Sequence, residues 1–186
     1  MRGIPQALAV GVVVGLLGLL VWDLAHQSAG KIAREVDAGK IIQAPAFTRP
    51  RIDKSGMLSL ASLRGKVVVM NFWQSYCEPC HTEARTLAAA SRRWAGNKNV
   101  VFLGVDEIDL RSAARKFMQR YGVTYPTISD DGPLVGHYGV TGYPETFFID
   151  RRGRVVPIHV GDVLGHIVGP ATTQDLNQGI RQALKT

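Results

Sequence analysis

Two cysteines stand two residues apart in Cys77-Glu78-Pro79-Cys80, and they are the only cysteines among the 186 residues. Two cysteines cannot form the several cross-links of a disulfide-rich secreted domain, and they fall short of the four ligands of a structural zinc site. At this spacing the two sulfurs can close one disulfide with little backbone movement. The motif therefore predicts thiol-disulfide exchange, in which Cys77 attacks the disulfide of a partner and Cys80 resolves the mixed intermediate.

The segments around the motif predict that it lies where a buried strand meets a helix. Residues 66–73 (KVVVMNFW) are apolar without alternation, as in a strand covered on both faces, and residues 83–94 have helical spacing. A helix amino terminus favours the thiolate of Cys77, and Pro79 fits the first turn because its missing N–H costs nothing there. Glu78 opposes the helix dipole, which makes the redox couple more reducing.

The remaining elements predict an α/β protein with a central mixed sheet flanked by helices. Further strands are expected at residues 100–105, 127–129, 146–149 and 155–160, and further helices at residues 109–121, 133–138 and 172–184. Residues 150–153 (DRRG) predict the turn of a hairpin. The order of these elements places helices on both faces of the sheet, and residues 161–170 leave the end of the sheet undefined.

Composition limits both the size of the fold and its partners. The chain is 46% apolar and 20% charged, carries a formal net charge of +7, and contains 20 Gly and 9 Pro. This balance excludes a disordered chain, and the length allows one domain and little more. Because no run of Lys and Arg is interleaved with aromatic residues, nucleic acid is not an expected partner.

The amino-terminal segment predicts a membrane anchor. No charge occurs between Arg2 and Asp23, and residues 4–22 would make an apolar helix about 28 Å long, close to the thickness of the bilayer core. A cleaved signal peptide is the alternative, although no A-x-A pattern follows the run. We therefore expect an anchor at residues 1–23, a tether at 24–43 and a folded domain at 44–186.

The orientation of this anchor is inferred from the chemistry of the cysteines. The count of basic residues alone favours a cytoplasmic carboxyl-terminal domain, because Lys31, Arg34 and Lys40 follow the apolar run. A reactive dithiol, however, finds its disulfide substrates in a compartment where disulfides persist. The expected location is the inner (cytoplasmic) membrane, with the domain on the extracytoplasmic, periplasmic side.

Several segments resemble one family of redox proteins. Residues 71–80 (NFWQSYCEPC) are similar to the active-site stretch of thioredoxin-fold proteins. More narrowly, residues 44–47 (APAF), 59–73 (SLASLRGKVVVMNFW) and 139–150 (GVTGYPETFFID) are similar to the membrane-anchored ResA/TlpA/CcmG (DsbE) group of thiol-disulfide oxidoreductases. The resemblance covers roughly residues 44–160. It implies a thioredoxin-like fold and a redox-active disulfide, Cys77–Cys80, with no bound cofactor and no metal.

The resemblance implies roles for the dithiol and for a second loop. Cys77 matches the exposed nucleophile of the family and Cys80 its resolving partner. Pro144, in Gly142-Tyr143-Pro144, matches the cis-proline loop that faces the disulfide. Because a cis X-Pro bond exposes the backbone of the preceding residue, Tyr143 is expected to pair with an extended substrate strand.

Two acidic residues and one tryptophan complete the predicted site. Glu83 matches an acidic residue that some members of the family place near the dithiol, and Glu145 matches the acid of the PETF segment typical of the CcmG type. Trp73 is expected in the core at the border of the site, and the predicted substrate-binding residues are Trp73, Tyr143, Pro144 and Glu145. The chain departs from thioredoxin at Asn71, where thioredoxin has a buried acid, and Glu83 is expected to take over the handling of protons.

The resemblance implies that the protein reduces disulfides of exported proteins, most specifically the CxxCH cysteines of apocytochrome c during cytochrome c maturation. Electrons would arrive from a membrane thiol transporter of the DsbD/CcdA kind. A general extracytoplasmic disulfide reductase is the alternative with the same chemistry.

Other classes of function remain open from the same residues. Residues 77–81 (CEPCH) match the haem-attachment signature of c-type cytochromes, with His81 as the proximal ligand and a Met such as Met118 as the distal one. Residues 125–130 (YPTISD) are similar to a segment of peroxiredoxin-like peroxidases, and a redox-inert anchored scaffold is the third alternative. Asp106 and Glu107 are interpreted as helix caps, and His166 as a surface residue or an interior residue with its hydrogen bonds satisfied.

Overall fold

Strands and helices alternate along the chain in a computed structural model that describes residues 9–19, 30–161 and 163–186. The strands are β1 (Ile42–Gln43), β2 (Thr48–Pro50), β3 (Met57–Ser59), β4 (Val67–Trp73), β5 (Val100–Glu107), β6 (Thr127–Asp130), β7 (Glu145–Ile149), β8 (Arg154–Val156), β9 (Ile158–Val160), β10 (Val163–Gly165) and β11 (Ile167–Val168). The helices are α1 (residues 9–19), α2 (Lys31–Asp37), α3 (Glu78–Trp94), α4 (Arg111–Tyr121), α5 (Pro133–Tyr138) and α6 (Thr173–Ala183).

Seven strands form the central sheet in the order β1-β8-β7-β4-β5-β6, and β11 pairs with β7 beside β8. Strands β4, β5 and β6 are parallel, whereas β7 runs antiparallel to β4. The predicted mixed sheet is therefore confirmed. Because of these directions, the carboxyl ends of β4 and β5 and the beginning of β7 meet at one edge of the sheet. The CxxC motif and Pro144 lie at this edge.

All seven residues of β4 are buried, which explains why its sequence lacks alternation. Val68, Met70 and Phe72 face a core that they share with α2 and α5. Val67 and Val69 face the opposite core, with α3 and α6. Helices thus cover both faces of the sheet, as the order of elements predicted.

Residues 30–43, which the sequence assigned to a tether, are folded against the domain. Ile32, Ala33 and Val36 of α2 are buried in the core next to α5, and β1 pairs antiparallel with β8. The N–H of Gly30 donates to the carbonyl of Gly136 at 2.8 Å. A seven-residue helix and a two-residue strand are too short to show a period in the sequence, which is why the prediction differs here. Residues 24–29 of the predicted tether lie outside the described residues.

The carboxyl-terminal third differs from the prediction in detail. The strand expected over residues 155–160 is divided at Pro157 into β8 and β9, because proline has no N–H for the ladder. The undefined segment 161–170 contains β10, which pairs with β9, and β11, which pairs with β7. The hairpin turn at residues 150–153 is confirmed between β7 and β8.

The predicted amino-terminal anchor is only partly described. Helix α1 falls within the apolar run, and its residues are exposed. Within the described ranges, no helix combines the length and the apolar character that a membrane crossing requires. Residues 1–8 and 20–23 of the predicted anchor lie outside those ranges, so the anchor stays a prediction.

Candidate active site

Cys77 and Cys80 form a disulfide at the amino terminus of α3. Cys77 is the N-cap residue, since its backbone is extended and its Sγ accepts the N–H of Cys80 at 3.2 Å. Pro79 lies in the first turn, as the sequence predicted. The helix begins at Glu78, five residues earlier than its apolar spacing indicated. Cys80 is 2% exposed, whereas Cys77 is partly exposed, so a partner sulfur can approach Cys77 but not Cys80.

The loop before β7 brings Tyr143 and Pro144 against this disulfide. The Tyr143–Pro144 peptide bond is cis, as predicted, and the carbonyl oxygen of Tyr143 lies 3.4 Å from Sγ of Cys77. The hydroxyl of Tyr143 donates to Oε2 of Glu107 at 2.7 Å, and Nε2 of Gln74 donates to the same oxygen at 2.7 Å. Glu107 therefore ties the loop to the residues that precede Cys77.

Glu83 lies one helical turn beyond Cys80 on α3, and only 2% of it is exposed. Its Oε2 accepts Nδ2 of Asn71 at 2.9 Å, and its Oε1 accepts the N–H of Ala171 at 2.9 Å. Burial raises the pKa of Glu83 to about 7, although the two hydrogen bonds oppose the shift. Cys80 and Glu83 line one small cavity of about 10 Å³, which is room for about one water molecule.

Trp73 packs in the same apolar cluster as Cys80 and is 4% exposed. Its ring stacks on Phe117 of α4, with 4.5 Å between the ring centroids. The structure thus places Trp73 in the wall behind the disulfide, and a contact with substrate stays a prediction.

Glu145, the acid of the PETF segment, is 1% exposed at the start of β7. Its Oε1 accepts the N–H groups of Thr141 at 2.9 Å and Gly142 at 3.1 Å, and its Oε2 lies 3.1 Å from Nε2 of His166. Burial by itself raises the pKa of Glu145, but the bonds from His166 and from the two N–H groups outweigh it and lower the pKa. Glu145 holds the loop that carries Tyr143, and it does not reach the surface.

His166 and Asp37 are residues of this region that the sequence did not identify. His166 lies between β10 and β11, and its Nδ1 is 2.7 Å from Oδ1 of Asp37 on α2. Burial lowers the pKa of His166, but the bonds to Glu145 and Asp37 outweigh it and raise the pKa. No motif signals this pairing, because His166 and Asp37 are 129 positions apart.

The end of β5 carries acidic residues that the sequence assigned to helix caps. Glu107 instead binds Tyr143, as described above. Asp106 is fully buried, and neither of its oxygens has a hydrogen-bond partner in the part of the chain that the structure describes. Burial, followed by the charge of Asp109, raises its pKa to about 8, so it is protonated at neutral pH. Asp109 accepts the N–H of Ser75 at 2.8 Å.

The residues of the haem alternative have other partners here. Nδ1 of His81 lies 2.7 Å from the hydroxyl of Tyr121, and Met118 of α4 is 6% exposed in the cluster that contains Cys80. Among the described residues, no group of three or more His, Cys, Asp and Glu side chains is placed to hold a metal ion.

Comparisons with known proteins agree with this geometry. A model of the AhpC/TSA family matches residues 42–158. The thiol-disulfide oxidoreductase ResA of Bacillus subtilis is 31% identical over 152 residues, which are 79% of this chain and 82% of that protein. The thiol:disulfide interchange protein DsbE of Pseudomonas fluorescens is 32% identical over 160 residues, which are 85% of this chain and 83% of that protein.

A solved structure supports the same assignment at the level of the fold. It is a thiol:disulfide interchange protein of the thioredoxin family from Chlorobium tepidum, with a TM-score of 0.66 and 27% identity over 77% of this chain and 97% of that one. With a disulfide at a helix amino terminus, partly exposed at Cys77 and beside a cis-proline loop, the chain belongs to the AhpC/TSA family, has a thioredoxin-like fold and is a thiol-disulfide oxidoreductase of the ResA/DsbE type.

Proposed function

We propose that the protein reduces disulfides of exported proteins, and that its substrate is the CxxCH disulfide of apocytochrome c during cytochrome c maturation. The observation that carries the proposal is the pairing of a partly exposed Cys77 with a buried Cys80 one turn from Glu83. An acid that exchanges its proton near neutral pH suits the release of a reduced substrate. The likeness to proteins named thiol-disulfide oxidoreductase and thiol:disulfide interchange protein supports thiol-disulfide exchange as the chemistry of this site.

The reaction begins from the dithiol form of the protein. The thiolate of Cys77 attacks one sulfur of the substrate disulfide, the substrate S–S bond breaks, and the other substrate sulfur leaves as a thiolate that takes up a proton. Cys80 then loses its proton and attacks the sulfur of Cys77 in the mixed disulfide. The second substrate thiolate leaves and is protonated, and the Cys77–Cys80 disulfide remains. Two electrons and two protons pass to the substrate.

Glu83 is the proton acceptor for Cys80 in this proposal. Cys80 is shielded from bulk solvent, so its proton needs a nearby base. The ionised carboxylate of Glu83 accepts this proton across the small cavity that the two side chains line. Because its pKa is about 7, Glu83 is partly ionised at neutral pH and can take up and release the proton in each cycle.

The proposed cycle ends with re-reduction of the disulfide. A membrane thiol transporter of the DsbD/CcdA kind supplies the two electrons. Residues 1–23 hold the domain at the inner membrane, on the periplasmic side, where oxidised apocytochrome is found.

The choice of substrate is tested with two oxidised peptides that differ in one residue. The first contains Cys-x-x-Cys-His with its cysteines joined, and the second has Ala in place of His. We expect the reduced protein to open the first peptide at least about tenfold faster, as thiol alkylation and mass spectrometry would measure. Equal rates would identify a general reductase, and the absence of reaction with both peptides would contradict the proposed direction of electron flow.

Partners in the cell are tested with Cys80→Ala, which keeps the attacking sulfur and removes the resolving one. This variant should retain apocytochrome c as a mixed disulfide on Cys77, and the double variant that also carries Cys77→Ser should retain nothing. Mass spectrometry of the captured proteins gives the answer. A set of partners without any apocytochrome would contradict the maturation role. A Soret band that stays with the denatured parent protein would support haem attachment at residues 77–81 instead.

The role of Glu83 is tested with Glu83→Gln. Resolution of the mixed disulfide should slow by about 10²-fold, and its rate should no longer rise as the pH increases through about 7, since the base is absent. Acid-quenched time courses with a peptide disulfide measure the accumulating intermediate. Glu35→Gln, on the surface of α2, is the matched control. An unchanged rate of resolution in Glu83→Gln would remove Glu83 from the mechanism.

A further inference from the structure

We infer that His166 and Asp37 are positioning residues for the loop at residues 141–144, and that they act through Glu145. The inference rests on the proposed function and on the predicted pairing of Tyr143, in the cis-proline loop, with a substrate strand. It assigns a part in thiol-disulfide exchange to α2 and to the segment between β10 and β11, neither of which contacts the sulfurs.

The contacts form a continuous chain from α2 to the disulfide. Oδ1 of Asp37 lies 2.7 Å from Nδ1 of His166 and also accepts the backbone N–H of His166 at 3.2 Å. Nε2 of His166 lies 3.1 Å from Oε2 of Glu145. Oε1 of Glu145 accepts the N–H groups of Thr141 and Gly142, and the next residue, Tyr143, places its carbonyl 3.4 Å from Sγ of Cys77.

The state of His166 follows from its two partners. A neutral imidazole has one N–H, whereas both ring nitrogens of His166 face carboxylate oxygens, so the protonated form alone satisfies both contacts. The side chain of His166 is 5% exposed, and its ring is stacked parallel on Phe147 with 4.3 Å between centroids. The raised pKa of His166 agrees with this assignment. A buried positive charge therefore holds the carboxylate of Glu145 in place.

The loop depends on this charge because Glu145 holds the loop through the N–H groups of Thr141 and Gly142 and the hydroxyl of Thr141, all of which donate to Oε1. With His166 protonated, Oε2 of Glu145 is held and Oε1 is directed at the N–H groups of Thr141 and Gly142. Without a partner on Oε2, a buried carboxylate takes up a proton or turns towards water, and both changes weaken its bonds to the loop. The position of Tyr143 then loosens, while the disulfide itself keeps its contacts.

The pH dependence has a defined sign. The charged groups that face His166 are Asp37 and Arg34 from α2 and Glu145 from β7. Since the pKa of His166 is raised in the folded protein, its contribution is complete below the ordinary value of about 6.5 and is lost as the pH rises through the raised value. Binding of a peptide substrate should therefore weaken towards alkaline pH.

The test compares two probes on His166→Phe, which keeps a ring for stacking on Phe147 but cannot pair with carboxylates. The probes are an oxidised Cys-x-x-Cys peptide, which needs the loop, and DTNB (5,5′-dithiobis-(2-nitrobenzoate)), a small disulfide. We expect the KM for the peptide to rise about tenfold, as for the loss of one charge-assisted hydrogen bond. The rise in the KM for DTNB should be at least about fivefold smaller, because DTNB does not need the loop. Asp37→Asn should act in the same direction, by about threefold. The matched control is His137→Gln, on the exposed surface of α5.

Two further measurements separate positioning from a general loss of structure. Hydrogen exchange at the amides of Thr141 and Gly142 should be about tenfold faster in His166→Phe than in the control variant. The peptide KM of the parent should rise with pH above the pKa of His166, and that of His166→Phe should not.

The inference is overturned if the peptide KM and the exchange rates of His166→Phe match those of His137→Gln, or if the reactions with peptide and DTNB are slowed equally. If His166→Phe does not fold, Asp37→Asn decides, because 45% of the Asp37 side chain is exposed and its loss is tolerable. Any peptide disulfide serves as the probe. A failure of the apocytochrome assignment therefore leaves this test intact, and a failure here leaves that assignment intact.

Discussion

Glu83 and Glu145 are two buried carboxyl groups on either side of one redox site, with 2% and 1% of their surfaces exposed. Each accepts hydrogen bonds through both oxygens. Even so, the pKa of Glu83 is raised to about 7, whereas that of Glu145 is lowered. Similar solvent exposure therefore accompanies a group that exchanges its proton near neutral pH and a group that stays charged.

The hydrogen-bond donors of the two carboxyl groups differ in charge and in number. Glu83 is bound by an amide of Asn71 and by one backbone N–H, both neutral, and these do not offset the cost of burying a carboxylate. Glu145 is bound by two backbone N–H groups, by the hydroxyl of Thr141 and by His166, which carries a positive charge. A neutral donor set suits proton transfer, and a charged donor set suits a fixed support.

The largest expected effect contrasts the same substitution at the two positions. Glu145→Ala leaves His166 and two loop N–H groups without their buried partner, so the free energy of unfolding should fall by about 3–5 kcal/mol. Glu83→Ala also removes the cost of burying a carboxyl group. The fall in the free energy of unfolding of Glu83→Ala should therefore be smaller than that of Glu145→Ala by about 2 kcal/mol or more. Urea unfolding of the oxidised proteins at pH 7 measures both. Equal losses would show that the charge of His166 does not distinguish the two sites.

The second effect concerns the pH dependence of stability. Between pH 4.5 and about 7, Glu83 keeps its proton in the folded protein and loses it on unfolding. The folded state thus binds more protons, and the free energy of unfolding falls as the pH rises through this range, by about 3 kcal/mol in total. For Glu145 the sign is opposite, since its contribution is lost below pH 4.5 as the pH falls through its lowered pKa.

Glu83→Gln should remove this fall, and the experiment follows the difference between parent and variant. Urea unfolding from pH 5 to 8 gives the free energy of unfolding of each protein. The other titrating groups, including His166, cancel in the difference because both proteins contain them. A difference that stays constant over this range would mean that Glu83 has an ordinary pKa in the folded protein.

The smallest effect sharpens the account of Glu83. Helix α6 begins with a capping box, in which Oγ1 of Thr172 accepts the N–H of Asp175 at 3.2 Å and Oδ2 of Asp175 accepts that of Thr172 at 2.8 Å. Thr172→Ala should cost about 1 kcal/mol of stability. It also loosens the neighbouring Ala171, whose N–H lowers the pKa of Glu83, so that pKa should rise slightly.

Thr173→Ala, at the next exposed position, is the matched control for this last prediction. Its free energy of unfolding, measured in urea, should stay within about 0.5 kcal/mol of that of the parent, as for a surface change that removes no cap. If the two threonine variants lose equal stability, the capping box does not hold the helix start beside Glu83.

The dithiol side of the site is predictable from sequence because its signals are local. The apolar strand β4, the CxxC motif and Pro79 lie within 14 consecutive residues. The strand, the dithiol and the helix start can therefore be predicted together from one short segment. Residues 142–146 (GYPET) added the second loop by resemblance, and the structure places its cis bond against Cys77. The burial of Cys80 follows from its place on the inner face of α3.

The supporting side of the site was not predictable in the same way. Asp37 and His166 are 129 positions apart. Asp37 ends a seven-residue helix and His166 lies between two strands of three and two residues, and these elements are too short to show a period. Asp106 and Glu107 end a strand next to a helix, a position where capping is the usual role. Their actual environment depends on the packing of β5 against β4 and on the loop that carries Tyr143.

The packing of α2 and β1 against the rest of the domain also limits the distance between the domain and a membrane anchor. In the proposed arrangement with an anchor at residues 1–23, six residues, 24–29, separate it from the first packed residue. Six residues span at most about 20 Å even when fully extended. The domain would then stay close to the bilayer surface, within range of an integral membrane electron donor. Its substrates would be limited to proteins that approach the membrane.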